Sequence, residues 1–273
     1  MSKMIRLNNK LEMPMLGLGV FQTKDGAETE NAVKWALEAG YRHIDTAMIY
    51  ENEGSVGKAI AKSSVPREEI FITTKLWNTD IRNHNTKEAF HKSLELLQVD
   101  YVDMYLIHWP ADGYSEAWKV LEDLYEQGKI KAIGVSNFHK YHLETLFETA
   151  RIIPAINQIE SHPLLNNQEL IDYCHSKQIA VSAWSPLGGS RSKLTENAIL
   201  NELGDKYGKT AAQIMLRWDI QRNLVVIPKS IHKDRIVSNM KIFDFELSIE
   251  DMSIISSMNQ NKRMGANPDN FKF

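Results

Sequence analysis

Along this chain the apolar positions switch repeatedly between two spacings. Over 27–39 the residues Val33, Ala36 and Leu37 recur at helical spacing and stop at Gly40. A short strand then runs to Asp45 and gives way to a loop. The same unit repeats. Helix 53–61 precedes strand 70–75. Helix 86–97, with Asn85 and Glu88 spaced as a capping box, precedes strand 104–108. Helix 115–126 stops at Gly128 and precedes strand 130–135, helix 140–149 precedes 155–159, and helix 167–176 precedes 179–184. Two helical stretches, 196–207 and 210–222, separate that strand from 224–228, so one is extra to a simple unit. A last pair, 233–240 and 248–258, flanks a weak candidate strand at Ile242–Phe243. Ahead of all this, 7–20 reads as two short strands around Asn8-Asn9-Lys10, a hairpin plug.

Strict alternation predicts a parallel sheet with helical crossovers. Strands apolar on consecutive residues predict that both sheet faces are covered. Seven strong strands, one weak one and 273 residues favour a (β/α)8 TIM barrel over an open doubly wound sheet. No composition break or linker divides 1–273, so a single barrel domain is expected, with the N-terminal β-hairpin plug and extra helices. Barrel active sites lie at the C-terminal strand ends. Asp45, Lys75, His108, Ser136, Asn137, Gln158, Trp184 and Lys229 all fall there.

Those strand ends carry chemistry. A buried carboxylate such as Asp45 is costly unless paired. Tyr50, five residues on, is a phenol of ordinary pKa near ~10 and a poor acid alone. A Lys75 ammonium beside it is expected to lower that value toward neutrality. Asp45 is expected to neutralise and orient Lys75, and His108 to hold a carbonyl oxygen by a hydrogen bond. No side chain delivers hydride, so a nicotinamide cofactor is implied. Two other functions are open to the same residues. His43 and Asp45 share a strand face and His108 ends another strand, as in a metal-dependent barrel hydrolase, although Lys75 then has no role. A non-catalytic NADPH-binding barrel would have no need of Tyr50.

Charge and composition narrow the setting. A net charge of -3 gives no reason to expect nucleic acid or an anionic membrane. No apolar run is long enough to span a bilayer, and residues 1–6 lack a signal-peptide core. One cysteine, Cys174, rules out an intrachain disulfide, and a cytoplasmic home is the simplest expectation. Gly54-Ser55-Val56-Gly57-Lys58 is too short for a phosphate-binding Walker loop, and no Gly-x-Gly-x-x-Gly occurs. His139 and His142 are near neighbours on one helix, but nothing else in the sequence suggests a metal there, and none is expected.

Several segments together resemble the aldo-keto reductase family over essentially the whole chain. They are 40–53, Thr74-Lys75-Leu76-Trp77, Leu106-Ile107-His108-Trp109-Pro110, Gly134-Val135-Ser136-Asn137-Phe138, Asn157-Gln158, Trp184-Ser185-Pro186-Leu187-Gly188 and Ile227-Pro228-Lys229-Ser230. The resemblance implies NADPH-dependent reduction of aldehydes and ketones by a tetrad of Asp45, Tyr50, Lys75 and His108, with Tyr50 as general acid. It implies that Ser136, Asn137 and Gln158 hold the nicotinamide carboxamide and that Trp184 stacks on the ring. Ser185 and Leu187 would lie along the pyrophosphate, and Lys229, Ser230, Arg235 and Asn239 around the 2′-phosphate. Phe21, Trp77 and Trp109 would rim the substrate pocket. The connection after His108 and the tail after Met258 are short, as in the microbial branch that includes diketogluconate and glyoxal reductases. An open mouth and small or dicarbonyl substrates are therefore expected; a monomer is expected as well.

Overall fold

The computed structural model describes residues 3–273. A hairpin comes first, β1 (Met4–Arg6) antiparallel to β2 (Glu12–Pro14), with Ile5 opposite Met13. The main sheet follows as β3 (Leu18–Gly19), β4 (His43–Asp45), β5 (Phe71–Leu76), β6 (Met104–Ile107), β7 (Ile133–Ser136), β8 (Ile156–Glu160), β9 (Ala180–Trp184) and β10 (Leu224–Val226). Its strands lie in sequence order and every pairing is parallel. The two ends then meet. Leu16 bridges Val226 and Gly19 bridges Lys229. The Gly17 N–H donates to the Val226 carbonyl at 2.9 Å, and the Val226 N–H to that of Met15 at 2.8 Å. The sheet is thus a closed eight-stranded barrel with no free edge.

Helices wrap it: α1 (Ala27–Ala39), α2 (Glu53–Ala61), α3 (Asn78–Arg82), α4 (Thr86–Leu97), α5 (Tyr114–Glu126), α6 (Lys140–Phe147), α7 (Gln168–Ser176), α8 (Gly189–Ser192), α9 (Ala198–Tyr207), α10 (Ala211–Gln221), α11 (Lys233–Asn239) and α12 (Ile249–Ser257). None of the described helices is long and apolar enough to cross a membrane.

Three local expectations are corrected. Residues 7–20 are not one hairpin: the hairpin sits at 4–14, and Leu18–Gly19 is the first barrel strand. Glycine hides the strand signal there, because Gly17 and Gly19 carry no side chain to alternate. Their smallness is required, since a Cβ at Gly17 would strike the His43 ring and one at Gly19 would lie 2.8 Å from the Ile227 carbonyl oxygen. Ile242–Phe243 is a turn after α11, not a strand. Ile242 is buried against the helix layer and its carbonyl accepts from Arg217 at 3.2 Å. Asn85 does not cap α4 with its side chain. Its φ of -98° and ψ of 24° depart from the extended backbone that aims a capping oxygen at the helix. Side-chain caps occur instead at Asn197, Thr210 and Ser248.

Alternate strand residues face the barrel axis. At the lower end these are apolar. Phe71, Met104, Ala132, Ile156, Ala180 and Val225 pack together with Leu7 and Met13 from the hairpin, which therefore plugs that end. Two or four residues further up, the same inward column becomes polar, with Lys75 above Phe71, His108 above Met104, Ser136 above Ala132 and Gln158 above Ile156. The outward faces bury a larger apolar layer under the helices. Burying one end of the barrel in hydrocarbon leaves the other free to concentrate polar groups.

His43 lies among the buried residues, paired through Nε2 to Thr73 at 3.0 Å, with Nδ1 lacking a partner. Burial lowers its pKa from 6.5 to about 4. Since the unfolded chain takes up that proton first, stability is complete above pH 6.5 and falls as pH drops toward 4. The expected loss is about 3 kcal/mol. Urea unfolding at stepped pH checks this, and His43→Asn should lose less over the same window.

Candidate active site

Asp45 ends β4, Lys75 lies near the top of β5, and His108 follows β6. All three are buried, Lys75 completely. Tyr50 ends the 3-10 turn Met48–Tyr50 just beyond β4. That turn is pinned by Asn52, which accepts from the Thr46 hydroxyl at 2.9 Å and donates to the Val20 carbonyl at 2.9 Å. Lys75 Nζ donates to Asp45 Oδ1 at 2.5 Å and to the Thr46 carbonyl at 2.8 Å. Gln158 Nε2 reaches the other carboxylate oxygen at 2.8 Å. Lys75 Nζ lies 5.1 Å from the Tyr50 ring centre, and the Tyr50 and His108 rings meet edge-on at 5.7 Å. The four candidate residues thus converge.

The electrostatics correct one expectation. Tyr50 is not drawn toward neutrality: desolvation, with Asp45 adding to it, pushes its phenol well above the ordinary value. The carboxylate at 2.5 Å offsets part of the ammonium's field, and burial of the phenol outweighs what remains. Burial also lowers Lys75, against the pull of Asp45. His108 is pushed well below 6.5 by burial and then by Lys75, and is neutral at pH 7. Its Nδ1 is buried without a partner.

The neighbouring strand ends form a second linked set. The Ser136 hydroxyl donates to the Gln158 carbonyl at 2.9 Å. Asn137, at φ +64°, donates to the His108 carbonyl at 3.0 Å and accepts from Trp184 Nε1 at 2.9 Å. Ser136, Asn137, Gln158 and Trp184 are therefore brought together, although the Gln158 amide group serves Asp45. Ser185, at φ +48°, and Leu187 follow on the same strand end, both partly exposed. Beyond β10, Lys229 and Arg235 are exposed, and among the described residues neither has an acidic partner within 4.0 Å. Ser230 and Asn239 are buried beside them in the chain.

Phe21 packs on Tyr50 at 4.9 Å and Trp77 on His108 at 5.2 Å. Tyr50 stays partly exposed at this mouth, but the tail narrows it. The tail returns across it: Phe273 stacks on Trp77 at 5.6 Å, and Phe271 and Phe273 both pack on Trp109 at 5.1 Å. Asn78 and Arg82 donate to the Phe273 oxygen at 3.1 and 3.0 Å. Sequence reasoning missed Phe271 and Phe273. The available signal was two aromatics one residue apart in a polar segment.

His139 and His142 gain a third neighbour in Asp269, with one ligand-type atom from each within 4.8 Å. The hydrogen bonds define a latch. Arg263 can only donate, so His139 Nε2, 3.0 Å away, accepts. The proton then sits on Nδ1 and is given to Asp269 at 2.7 Å, while Tyr141 donates to the same oxygen at 3.0 Å. The hydrolase arrangement does not form either, because Asp45 is bound to Lys75 and Gln158, and His43 to Thr73. Cys174 is buried and its thiol is pushed up to about 11, which suits a packing role.

The model of the Aldo/keto reductase family matches residues 15–260. A Bacillus subtilis protein named glyoxal reductase is 52% identical over 98% of this chain and 97% of its own. The crystal structure of an aldo-keto reductase from a Medee basin deep-sea metagenome library superposes with a TM-score of 0.95, at 49% identity over 98% of this chain and all of that one. A Bombyx mori aldo-keto reductase in complex with NADP has a TM-score of 0.91, at 38% identity over 98% and 96% of the two chains.

Removing residues 271–273 should bare Trp77 and Trp109 without unfolding the barrel. Tryptophan emission should shift to the red and acrylamide should quench it faster. The melting temperature should fall by about 6–12 °C, as three lost Trp–Phe pairs worth about 1 kcal/mol each imply.

Proposed function

The chain belongs to the aldo/keto reductase family, and from that premise we propose that it reduces small aldehydes and ketones, dicarbonyls included, with NADPH, using Tyr50 as the proton donor. The observation that carries this reading is the convergence of Tyr50, His108 and the buried Lys75–Asp45 pair at one barrel mouth. A relative named glyoxal reductase and the roof of Phe271 and Phe273 over Trp77 and Trp109 both favour compact substrates.

The residues present suit the cofactor. Lys229 and Arg235, exposed and without an acidic partner among the described residues, are cations suited to a 2′-phosphate, with Ser230 and Asn239 near them in the chain. Trp184 keeps part of its ring exposed for stacking, with Ser136, Asn137 and Gln158 alongside and Ser185 and Leu187 leading away. When bound, the cofactor supplies the hydride. Everything else is done by side chains. His108, neutral and with an unpartnered Nδ1, keeps its proton on Nε2, because a stranded N–H costs more than a bare acceptor. That N–H orients the carbonyl oxygen. As charge develops on this oxygen it becomes a stronger base than any phenolate, so the high pKa of Tyr50 does not block proton transfer from its hydroxyl. Lys75, held by Asp45, stabilises the phenolate that results.

Tyr50→Phe should lower kcat for aldehyde reduction by at least about 10²-fold while NADPH affinity stays within about twofold. Turnover at the wild-type rate would remove Tyr50 from the role. Because burial and Asp45 raise the phenol, it remains protonated through the neutral range. A kcat/KM profile should accordingly stay level up to about pH 10, and a loss of reduction centred near neutrality would contradict the assignment.

A further inference from the structure

Glu160 has no part in the chemistry above, yet it is one of the most enclosed carboxylates in the protein. It ends β8, two residues beyond Gln158, and is 1% exposed. Its partners come almost entirely from the tail. Oε1 accepts from the Met264 N–H at 2.6 Å and the Gly265 N–H at 3.3 Å, and Oε2 lies 3.4 Å from the latter. Arg263 is 3.8 Å away, and His162 contacts Oε1 through Nε2 at 3.0 Å. The tail backbone is thus drawn onto the end of a barrel strand. Two consecutive N–H groups aimed at one buried carboxylate make a clasp, and such bonds to a charged acceptor are about twice as strong as neutral ones.

The clasp closes on one ring in particular. A Cβ at Gly265 would overlap Cη2 of Trp184 and approach two further ring atoms. Gly265 has an ordinary backbone, so its lack of a side chain serves the close approach alone. The same indole donates from Nε1 to Asn137 at 2.9 Å. Trp184 is therefore fixed from two directions, by Asn137 at its nitrogen and by the clasped tail at its benzo edge. Further along, the same tail is latched through Asp269 and roofs the mouth with Phe271 and Phe273.

We propose that Glu160 is a positioning residue: by clasping Met264 and Gly265 it sets the Trp184 ring as the platform for the nicotinamide, and so couples cofactor binding to closure of the tail. This rests on the stacking role given to Trp184 above. Coupling is reciprocal, so bound NADPH holds the tail down just as the seated tail favours NADPH.

The test uses the full-length protein with NADPH as probe. Hydrogen exchange at the Met264 and Gly265 amides, NADPH affinity and quenching of tryptophan emission are measured for wild type, Glu160→Gln, Gly265→Ala and Trp184→Phe. Glu160→Gln should speed exchange at both amides and weaken NADPH, each by about tenfold, with the barrel melting temperature little changed. A purely structural role would lower the melting temperature and leave the NADPH affinity of the folded fraction intact. Gly265→Ala, an exposed tail position, perturbs the ring without touching the buried carboxylate. It should weaken NADPH comparably, and it carries the test alone if Glu160→Gln fails to fold. In wild type, NADPH should slow exchange at the two amides. If Trp184→Phe loses quenching while Gly265→Ala binds NADPH normally, the clasp is overturned and the stacking stands. If Trp184→Phe binds and quenches as wild type does, the stacking itself fails, and the clasp's link to the cofactor fails with it.

Discussion

The Lys75–Asp45 ion pair is the constraint on which the mouth of the barrel depends. Placing both charges out of water costs several kcal/mol each, and their attraction returns that only with good geometry and further hydrogen bonds. Both conditions hold: the contact is 2.5 Å, Thr46 takes a second ammonium proton, and Gln158 covers the second carboxylate oxygen. An apolar pair of similar volume would serve the fold at least as well. The pair is therefore explained by what it does at the mouth. In the function proposed above, it holds a cation beside Tyr50 that supports a phenolate once one forms.

From that pair the rest of the site follows outward. Gln158 ties Asp45 across the barrel to β8, Ser136 and Asn137 tie β8 to β7 and to Trp184, and Glu160 ties β8 to the tail. The tail places Phe271 and Phe273 on Trp77 and Trp109, beside His108. Tyr50, His108, Trp184 and the tail aromatics thus belong to one hydrogen-bonded and aromatic network. The apolar ring below, closed by the hairpin, lets this polar layer exist without opening the barrel to water from both ends.

Most of the barrel was legible because its helices and strands differ in period and because several strands carry apolar residues on consecutive positions, as burial of both faces requires. The first barrel strand was not, since Gly17 and Gly19 show no alternation, and Ile242–Phe243 took its place because a buried turn residue looks like a strand residue. Asp45, Tyr50, Lys75 and His108 could be picked from sequence because each sits at or just beyond a strand end. The direction of the Tyr50 shift could not, for it depends first on how far the fold takes the phenol out of water, with Asp45 adding to that. The roof and the clasp were also hidden. They join residues more than a hundred positions apart, and nothing in a single sequence pairs Glu160 with Met264 or Trp77 with Phe273.

The claim that the ion pair serves chemistry and not stability is tested most directly by a double-mutant cycle on Asp45→Leu and Lys75→Met, followed by equilibrium unfolding and NADPH-dependent turnover. Each single change should cost about 3–5 kcal/mol by leaving a buried charge alone. The double variant should recover most of that stability and remain inactive. A double variant that still turns over, or one no more stable than the worse single variant, would contradict the account.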